Sequence, residues 1–387
     1  MSLRHDRPIS RVALRTDVDL LAPATLFGMI TRAFVLSLIA GLMGCAAAPS
    51  GTPASANNAS QQRAAARWNE AALQEVLAYA RAQKTTGLLI IEDRQIIVEH
   101  NWPLPDDADS GKFREAFVHG QAPDGSLLED VASQQKSFIA ILVAVAIDQG
   151  LVDVERPVSS YIGMGWSKSP STEARITVRH LLEMTSGLTE ELGFQFEPGT
   201  RFFYNTPAYA VTKRVLESAS KRSLEDLTAL WLTQPLGMNQ TAWRQRPPAL
   251  TVPGNPTGLV TTPRDVAKMG QLVLDRGLAP DGRRVISTAQ LDLMLQRTST
   301  NPAYARLWWV NGGSYTLRYG AEIARVEGPL VPSAPADMVL ALGAMDRTLF
   351  VVPSRRLIVV RTGQATPARD FSEQLWSRLT KALPRGG

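Results

Sequence analysis

Ten consecutive apolar residues, Phe138-Ile-Ala-Ile-Leu-Val-Ala-Val-Ala-Ile147, constrain the fold of this chain more than anything else in it. A helix over them is apolar nearly all round, and such a helix is stable in water only when protein surrounds it. The run stops near Gly150, a residue suited to the end of a helix. The chain must therefore fold around this segment, and 387 residues suffice for one large domain or two modest ones. A composition 44% hydrophobic and 20% charged excludes a wholly disordered protein.

Patterning on either side predicts what surrounds the central helix. Leu73, Val76, Leu77 and Tyr79 stripe a helix across Trp68–Gln83. Thr86–Ile91 and Gln95–His100 have the composition of strands, joined by an Asp93-Arg94 turn. From Ser133 to about Leu295 the pattern is largely helical, broken by Pro/Gly-rich loops. Apolar strand-like runs return at Met338–Gly343, Thr348–Val352 and Leu357–Arg361, and Phe371, Leu375, Leu379 and Leu383 stripe a final helix. Strands at both ends of a helical middle predict an α+β fold: an antiparallel sheet built from both chain ends, with a helical insertion lobe. The cleft between sheet and lobe is the natural place for a site.

The N-terminus has a different character. Ala33–Met43 is apolar, follows Arg32 and precedes Gly44-Cys45; it is short for a membrane span, which needs roughly 20 apolar residues. It suits the apolar core of a secretory signal, and Leu42-Met43-Gly44-Cys45 resembles the lipobox of bacterial lipoproteins. The expectation is a signal region over residues 1–45, with lipid on Cys45 and the protein anchored in the bacterial cell envelope, facing the periplasm. Asp6, Asp17 and Asp19 are unusual in a signal, and Met29 is the more economical start. Residues 46–66, rich in Ala, Ser and Asn, have the composition of a flexible tether, which leaves 67–387 as the folded domain.

The formal charge of +5 raises the possibility of nucleic acid, but the basic residues are scattered with no Lys/Arg run, so no nucleic-acid partner is expected. One cysteine excludes an intramolecular disulfide. The four histidines, His5, His100, His119 and His180, lack metal-ligand spacing, so neither a metal nor an organic cofactor is expected.

Ser-x-x-Lys occurs twice, as Ser133-Gln-Gln-Lys136 and Ser218-Ala-Ser-Lys221. Residues three apart share a helix face, so the serine and lysine can meet. Ser133 stands at the start of the buried helix, where the positive end of the helix dipole favours an alkoxide and burial lowers a lysine pKa. Ser218 stands at the end of an amphipathic helix, where Lys221 simply complements the dipole. Alone, Ser133 could be a helix cap and Lys136 a solvated charge. Its neighbours decide otherwise.

Ala132-Ser-Gln-Gln-Lys-Ser137, Leu151-Val-Asp-Val-Glu-Arg-Pro157, Ile176-Thr-Val-Arg-His-Leu-Leu-Glu-Met-Thr-Ser-Gly-Leu188, Glu197-Pro-Gly-Thr-Arg201 and Gly258-Leu-Val-Thr-Thr-Pro-Arg-Asp265 follow one another in order. Together they resemble the serine β-lactamase-like family of class C β-lactamases, D,D-peptidases, esterases and 6-aminohexanoate-dimer hydrolases. The resemblance runs from about Trp68 to Gly363. It implies a β-lactamase/transpeptidase-like fold, Ser133 as nucleophile, Lys136 as its base and Tyr204 as an aid to proton transfer. The family's Tyr-x-Asn element corresponds to Tyr204-Asn205-Thr206, with the asparagine one position early; Asn205 and Thr206 are expected in the substrate pocket, and Thr206, before Pro207, also suits a helix N-cap.

The family's third element, Lys-Thr-Gly or His-x-Gly, should fall at Ala344-Met345-Asp346, where neither cation nor glycine is present. Ala344 and Asp346 are expected to line the pocket. The backbone N–H groups of Ser133 and Arg347 are expected to form the oxyanion hole, since a backbone donor does not depend on its side chain. The Arg347 side chain could replace the missing cation if it turned toward the pocket. His180 lies in an apolar run and no Gly-x-Ser-x-Gly elbow exists, so a Ser-His-Asp triad is not expected; Ser186 fits a loop turn. The expected activity is hydrolysis of a small ester or amide through an acyl-enzyme on Ser133. The alternatives are a true β-lactamase or D,D-peptidase, and a catalytically silent binding protein.

Overall fold

A computed structural model describes residues 67–252, 254–318 and 324–384. The expected signal region, with Met29 and Cys45, and the expected tether over 46–66 lie outside the described residues. Among the described residues no helix is long and apolar enough to cross a membrane.

Helix α1 (Glu70–Ala82) leads into hairpin β1 (Thr85–Glu92) and β2 (Gln95–Asn101). Asp93 and Arg94 both take positive φ, 49° and 65°, the backbone that a two-residue turn needs to match strand twist. Helix α2 (Ala108–Phe117) is followed by β3 (Val118–Gln121) and β4 (Leu127–Asp130). The apolar run forms α3 (Gln135–Asp148), entered through a 3₁₀ turn over Ala132–Gln134. Short helices and loops lead to α4 (Thr206–Ser220), then β5 (Ala242–Gln245), β6 (Thr257–Thr261), α5 (Pro263–Leu274) and α6 (Thr288–Leu295). The last third contains β7 (Trp309–Val310), β8 (Tyr315–Arg318), β9 (Ala324–Glu327), β10 (Val339–Gly343), β11 (Arg347–Val352), β12 (Leu357–Gly363) and α7 (Phe371–Ala382).

Both chain ends build the main sheet, as expected: six antiparallel strands in the order β2-β1-β12-β11-β10-β7. Its central strands are apolar on both faces because both faces are covered. Leu88, Ile90, Phe350, Val352, Leu357 and Val359 pack with Val76 of α1 and with Phe371, Leu375 and Trp376 of α7. Their neighbours Leu89, Leu349, Val351, Ile358 and Val360 join the core around α3. Period-two alternation distributes one strand between two cores. Gly270 lets α5 lie close to the second face, because a Cβ there would come within 3.0 Å of Leu349 and 3.2 Å of Val351. The structure adds a feature the sequence patterning missed, a four-stranded sheet in the order β3-β4-β6-β5. These strands are four or five residues long and two of them lie inside the segment expected to be helical.

A buried ion pair joins the two sheets. Arg347 of β11 and Glu129 of β4 have no exposed side-chain surface, and Nε lies 3.3 Å from Oε2. Glu129 also accepts from the Thr86 hydroxyl and, at 3.2 Å, from the Gly363 N–H. The Arg347 guanidinium lies 5.2 Å and 4.7 Å from the ring centroids of Phe113 and Phe117. Removing one partner of such a pair strands the other charge, a loss of about 3–5 kcal/mol. Glu129→Ala should therefore lower stability by about 3–5 kcal/mol in urea unfolding; a loss below about 1 kcal/mol would show that the pair is not a structural joint.

Candidate active site

The central helix exposes its functional end through the 3₁₀ turn. Asp130 ends β4 and its carboxylate accepts from Ala132 N–H at 2.8 Å, which steadies Ala132 at φ 50°, an uncommon backbone for alanine. Arg246 holds that carboxylate bidentately, at 2.6 and 2.9 Å. Gly258 leaves the space, because a Cβ there would lie 1.9 Å from Asp130 Oδ2. Each of the next five side chains is tied down differently. Lys136 Nζ lies 3.0 Å from Ser133 Oγ. Gln134 donates to Ala341 O of β10 at 3.2 Å, Gln135 accepts from Lys213 at 2.8 Å, and Ser137 donates to Leu307 O at 2.8 Å.

Lys136 is 2% exposed. Its Nζ lies 4.9 Å from the Tyr204 ring centroid and 4.7 Å from that of Tyr209. Burial is the main cause that holds its amine well below the ordinary lysine range, and the positive fields of Arg246 and Lys213 push it the same way. Ser133 thus faces an amine biased toward its neutral, proton-accepting form. Tyr204 stacks on Trp309 with centroids 6.0 Å apart, and Tyr304 meets Trp309 edge-on at 4.9 Å.

These residues open onto a cleft of about 580 Å³. Ser133, Tyr204, Thr206, Trp309, Gly343, Ala344 and Asp346 line it, with an apolar wall of Leu330, Val331, Leu340, Leu342 and Phe371. Of the expected site residues, Ser133, Lys136 and Tyr204 come together, and Thr206, Ala344 and Asp346 share the cleft.

Two expectations need correction. Asn205 does not line the pocket. It is fully buried and is itself the N-cap of α4, accepting from Ala208 N–H at 2.9 Å and donating to the carbonyls of Leu188 and Thr189, both at 2.8 Å. The cap therefore falls one residue earlier than expected, and Thr206 becomes the first helical residue. Arg347 does not face the cleft either. It has no exposed surface, is absent from the cleft lining, and its guanidinium turns to Glu129 and, at 3.1 Å, to Ala344 O. It supplies neither an accessible oxyanion donor nor the missing cation. With Arg361, which donates to Met345 O, it supports the Ala344–Asp346 turn from behind.

The rival serines and histidine are engaged elsewhere. Ser218 Oγ donates to Tyr161 O at 2.5 Å and Lys221 is the left-handed C-cap of α4. His180 forms a reciprocal cap with Thr177. Ser186 Oγ accepts from Leu188 N–H in a loop turn.

Sequence patterning missed Lys213, Arg246 and Asp130 behind the Ser133 turn, and Arg318 and Arg369 at the cleft. One signal existed for Lys213: it follows Tyr209 by four positions, on the apolar stripe of its helix.

The family model described as Beta-lactamase matches residues 67–379. An uncharacterised protein of Alkalihalophilus pseudofirmus is 23% identical over 71% of this chain and 82% of its own. Penicillin-binding protein 4 of Amycolatopsis lactamdurans is 27% identical over 50% of this chain and 64% of its own. A solved structure from Bacteroides dorei has a TM-score of 0.61 at 15% identity, covering 81% of this chain and 99% of that one.

Asn205→Ala removes a cap and leaves one buried and one half-buried carbonyl without their donor. It should lower stability by about 2 kcal/mol in chemical denaturation, whereas Thr206→Ala should cost less than about 0.5 kcal/mol. Equal losses would contradict the assignment of the cap to Asn205.

Proposed function

Because the chain belongs to the beta-lactamase family, we propose that it hydrolyses a small ester or amide through an acyl-enzyme on Ser133. The observation that carries this is the 3.0 Å contact of Ser133 Oγ with a lysine buried among aromatic rings. Neutral Lys136 takes the hydroxyl proton as Ser133 Oγ attacks the carbonyl carbon. The tetrahedral oxyanion is held by Ser133 N–H and by backbone donors of the Gly343–Ala344 segment, which lines the cleft where Arg347 does not. Collapse expels the alcohol or amine, which takes the proton from Lys136 with the help of Tyr204. Water then attacks the acyl-enzyme, gives a proton back through Lys136, and releases the acid and free Ser133.

The cleft favours an uncharged substrate. Its wall of Trp309, Leu330, Val331, Leu340, Leu342 and Phe371 suits an apolar group, and Asp346, Asp370 and Glu373 place three carboxylates on the lining. Negative charge there disfavours β-lactams and D-Ala-D-Ala peptides, which carry a carboxylate near the scissile bond. Arg318 and Arg369 favour the second reading, a β-lactamase or D,D-peptidase, but they are exposed and screened, as is Asp370, which leaves the half-buried Asp346 and Glu373 as the less screened charges on the lining. A neighbour in fold, EstCE1, is described as a hydrolase with promiscuous acyltransferase activity.

Short-chain p-nitrophenyl esters should be hydrolysed clearly and a chromogenic cephalosporin hardly at all, compared as kcat/KM on one preparation. A cephalosporin value equal to or above the ester value would transfer the substrate assignment to the second reading. Ser133→Ala should abolish both turnover and labelling by a fluorophosphonate probe, while Ser218→Ala leaves them nearly intact. Lys136→Ala should cost roughly 10²–10⁴-fold in kcat/KM, as expected for loss of a positioned general base. A folded wild-type protein that resists the probe would be the silent binding protein.

The proposed location is the bacterial cell envelope, with a lipid on Cys45 anchoring the domain in the periplasm. It draws on the signal-like run before the one cysteine. Cys45→Ser should release the protein from membranes, and an intact mass without lipid on membrane-extracted wild type would refute the anchor.

A further inference from the structure

Helix α4 carries a second buried lysine that the serine chemistry leaves unused. Lys213 is 6% exposed, on a helix face shared with Tyr209 and Leu216. Burying an ammonium costs free energy unless its hydrogens find acceptors. Nζ has three: Gln135 Oε1 at 2.8 Å, Asn255 Oδ1 at 2.6 Å and Thr257 O at 3.4 Å. A neutral amine has only two hydrogens to donate, so three neutral acceptors are matched to the charged form. The Trp243 ring, with its centroid 4.3 Å away, stabilises the same charge.

This cation is wired to the nucleophile's turn. Gln135 lies between Ser133 and Lys136 in sequence, and the Tyr209 ring centroid is 4.7 Å from Lys136 Nζ and 5.7 Å from Lys213 Nζ. Two like charges so close in a poorly hydrated place disfavour each other. Their partners differ. Lys213 has three acceptors, whereas the side-chain bond recorded for Lys136 is to a hydroxyl that can itself donate. The proton therefore belongs on Lys213.

We propose that Lys213 is a positioning residue for Lys136: held as an ammonium, it fixes Gln135 in the nucleophile's turn and keeps the neighbouring lysine uncharged. Its functional meaning rests on the reading of Lys136 as the base of Ser133, but the charge relation does not. Burial works against that charge: desolvation first, then Arg246, lower the Lys213 amine to about 7, while Asp130 and Glu217 oppose the fall, so the ammonium acts on Lys136 below that pH and its field fades above it. Lys136 is also lowered first by burial, then by Arg246 and by Lys213. Tyr209 is pushed up by burial and stays a neutral phenol. Lys213→Met leaves Arg246 in place and so removes one of the two positive fields on Lys136.

The test titrates Lys136 directly in the full-length protein, with ¹³C-labelled lysine ε-carbons followed by NMR and the Lys136 signal assigned by its loss in Lys136→Met. Lys213→Met should raise the Lys136 midpoint by about one pH unit, while Lys213→Arg, which keeps the charge, should leave it within about 0.3 units. The acid limb of the kcat/KM profile should move up by the same amount in Lys213→Met, since activity is lost as pH falls through the Lys136 midpoint. Should Lys213→Met fail to fold, Lys213→Gln, which retains two donors for the same acceptors, has the same expected shift. An unchanged Lys136 midpoint in either folded variant overturns the proposal. Failure of Ser133 to label with a fluorophosphonate would instead defeat the hydrolase reading and leave the midpoint result standing.

Discussion

A lysine buried beside a serine, with no ion pair to Lys136 among the described residues, sets the terms for the rest of the site. Such a group is tolerated as an amine far more readily than as an ammonium. Keeping it dry requires a helix enclosed on all sides, which is what the apolar run of α3 provides. Keeping it aimed requires that the turn before that helix not slide. The side chains of Gln134, Gln135 and Ser137 each reach a different part of the protein, and Asp130 fixes the backbone from behind. The electrostatics of the site therefore follow from the packing of one helix.

The frame of the fold was largely legible because its signals are local and repetitive. The strand runs near both termini, the Asp93-Arg94 turn and the striped terminal helices fall within a residue or two of their expected bounds. Ser133 and Lys136 were legible for the same reason, since three residues of spacing on one helix is a local property. The small sheet was not. Its strands are short, and β4 and β6 are paired through residues more than a hundred positions apart, so no window of sequence contains the pattern.

The errors at Asn205 and Arg347 share a cause. Spacing places a residue on an element, but it does not say which of two possible partners its side chain will choose. Asn205 could cap a helix or face a substrate, and the open carbonyls of Leu188 and Thr189 decided the matter. Arg347 shares its strand face with Leu349 and Val351, so its side chain points into the molecule, where Glu129 waits on a strand 218 residues away in sequence. A guanidinium that looked able to replace a lost substrate contact was already committed to holding the two sheets together.

The pairing of β1 with β12, from Thr85 opposite Gly363 to Glu92 opposite Leu357, has a kinetic side. It closes a loop of well over two hundred residues, and contacts so distant along the chain form late and slowly. A nascent chain cannot complete its main sheet until its last strand has emerged. Gln134 leans on β10, and the turn that lines the cleft lies between β10 and β11, so Ser133 has no finished wall beside it until then. Partly made chains are left with the helical lobe and an N-terminal hairpin whose long edge is still unpaired, and that edge is the surface on which misassociation would begin.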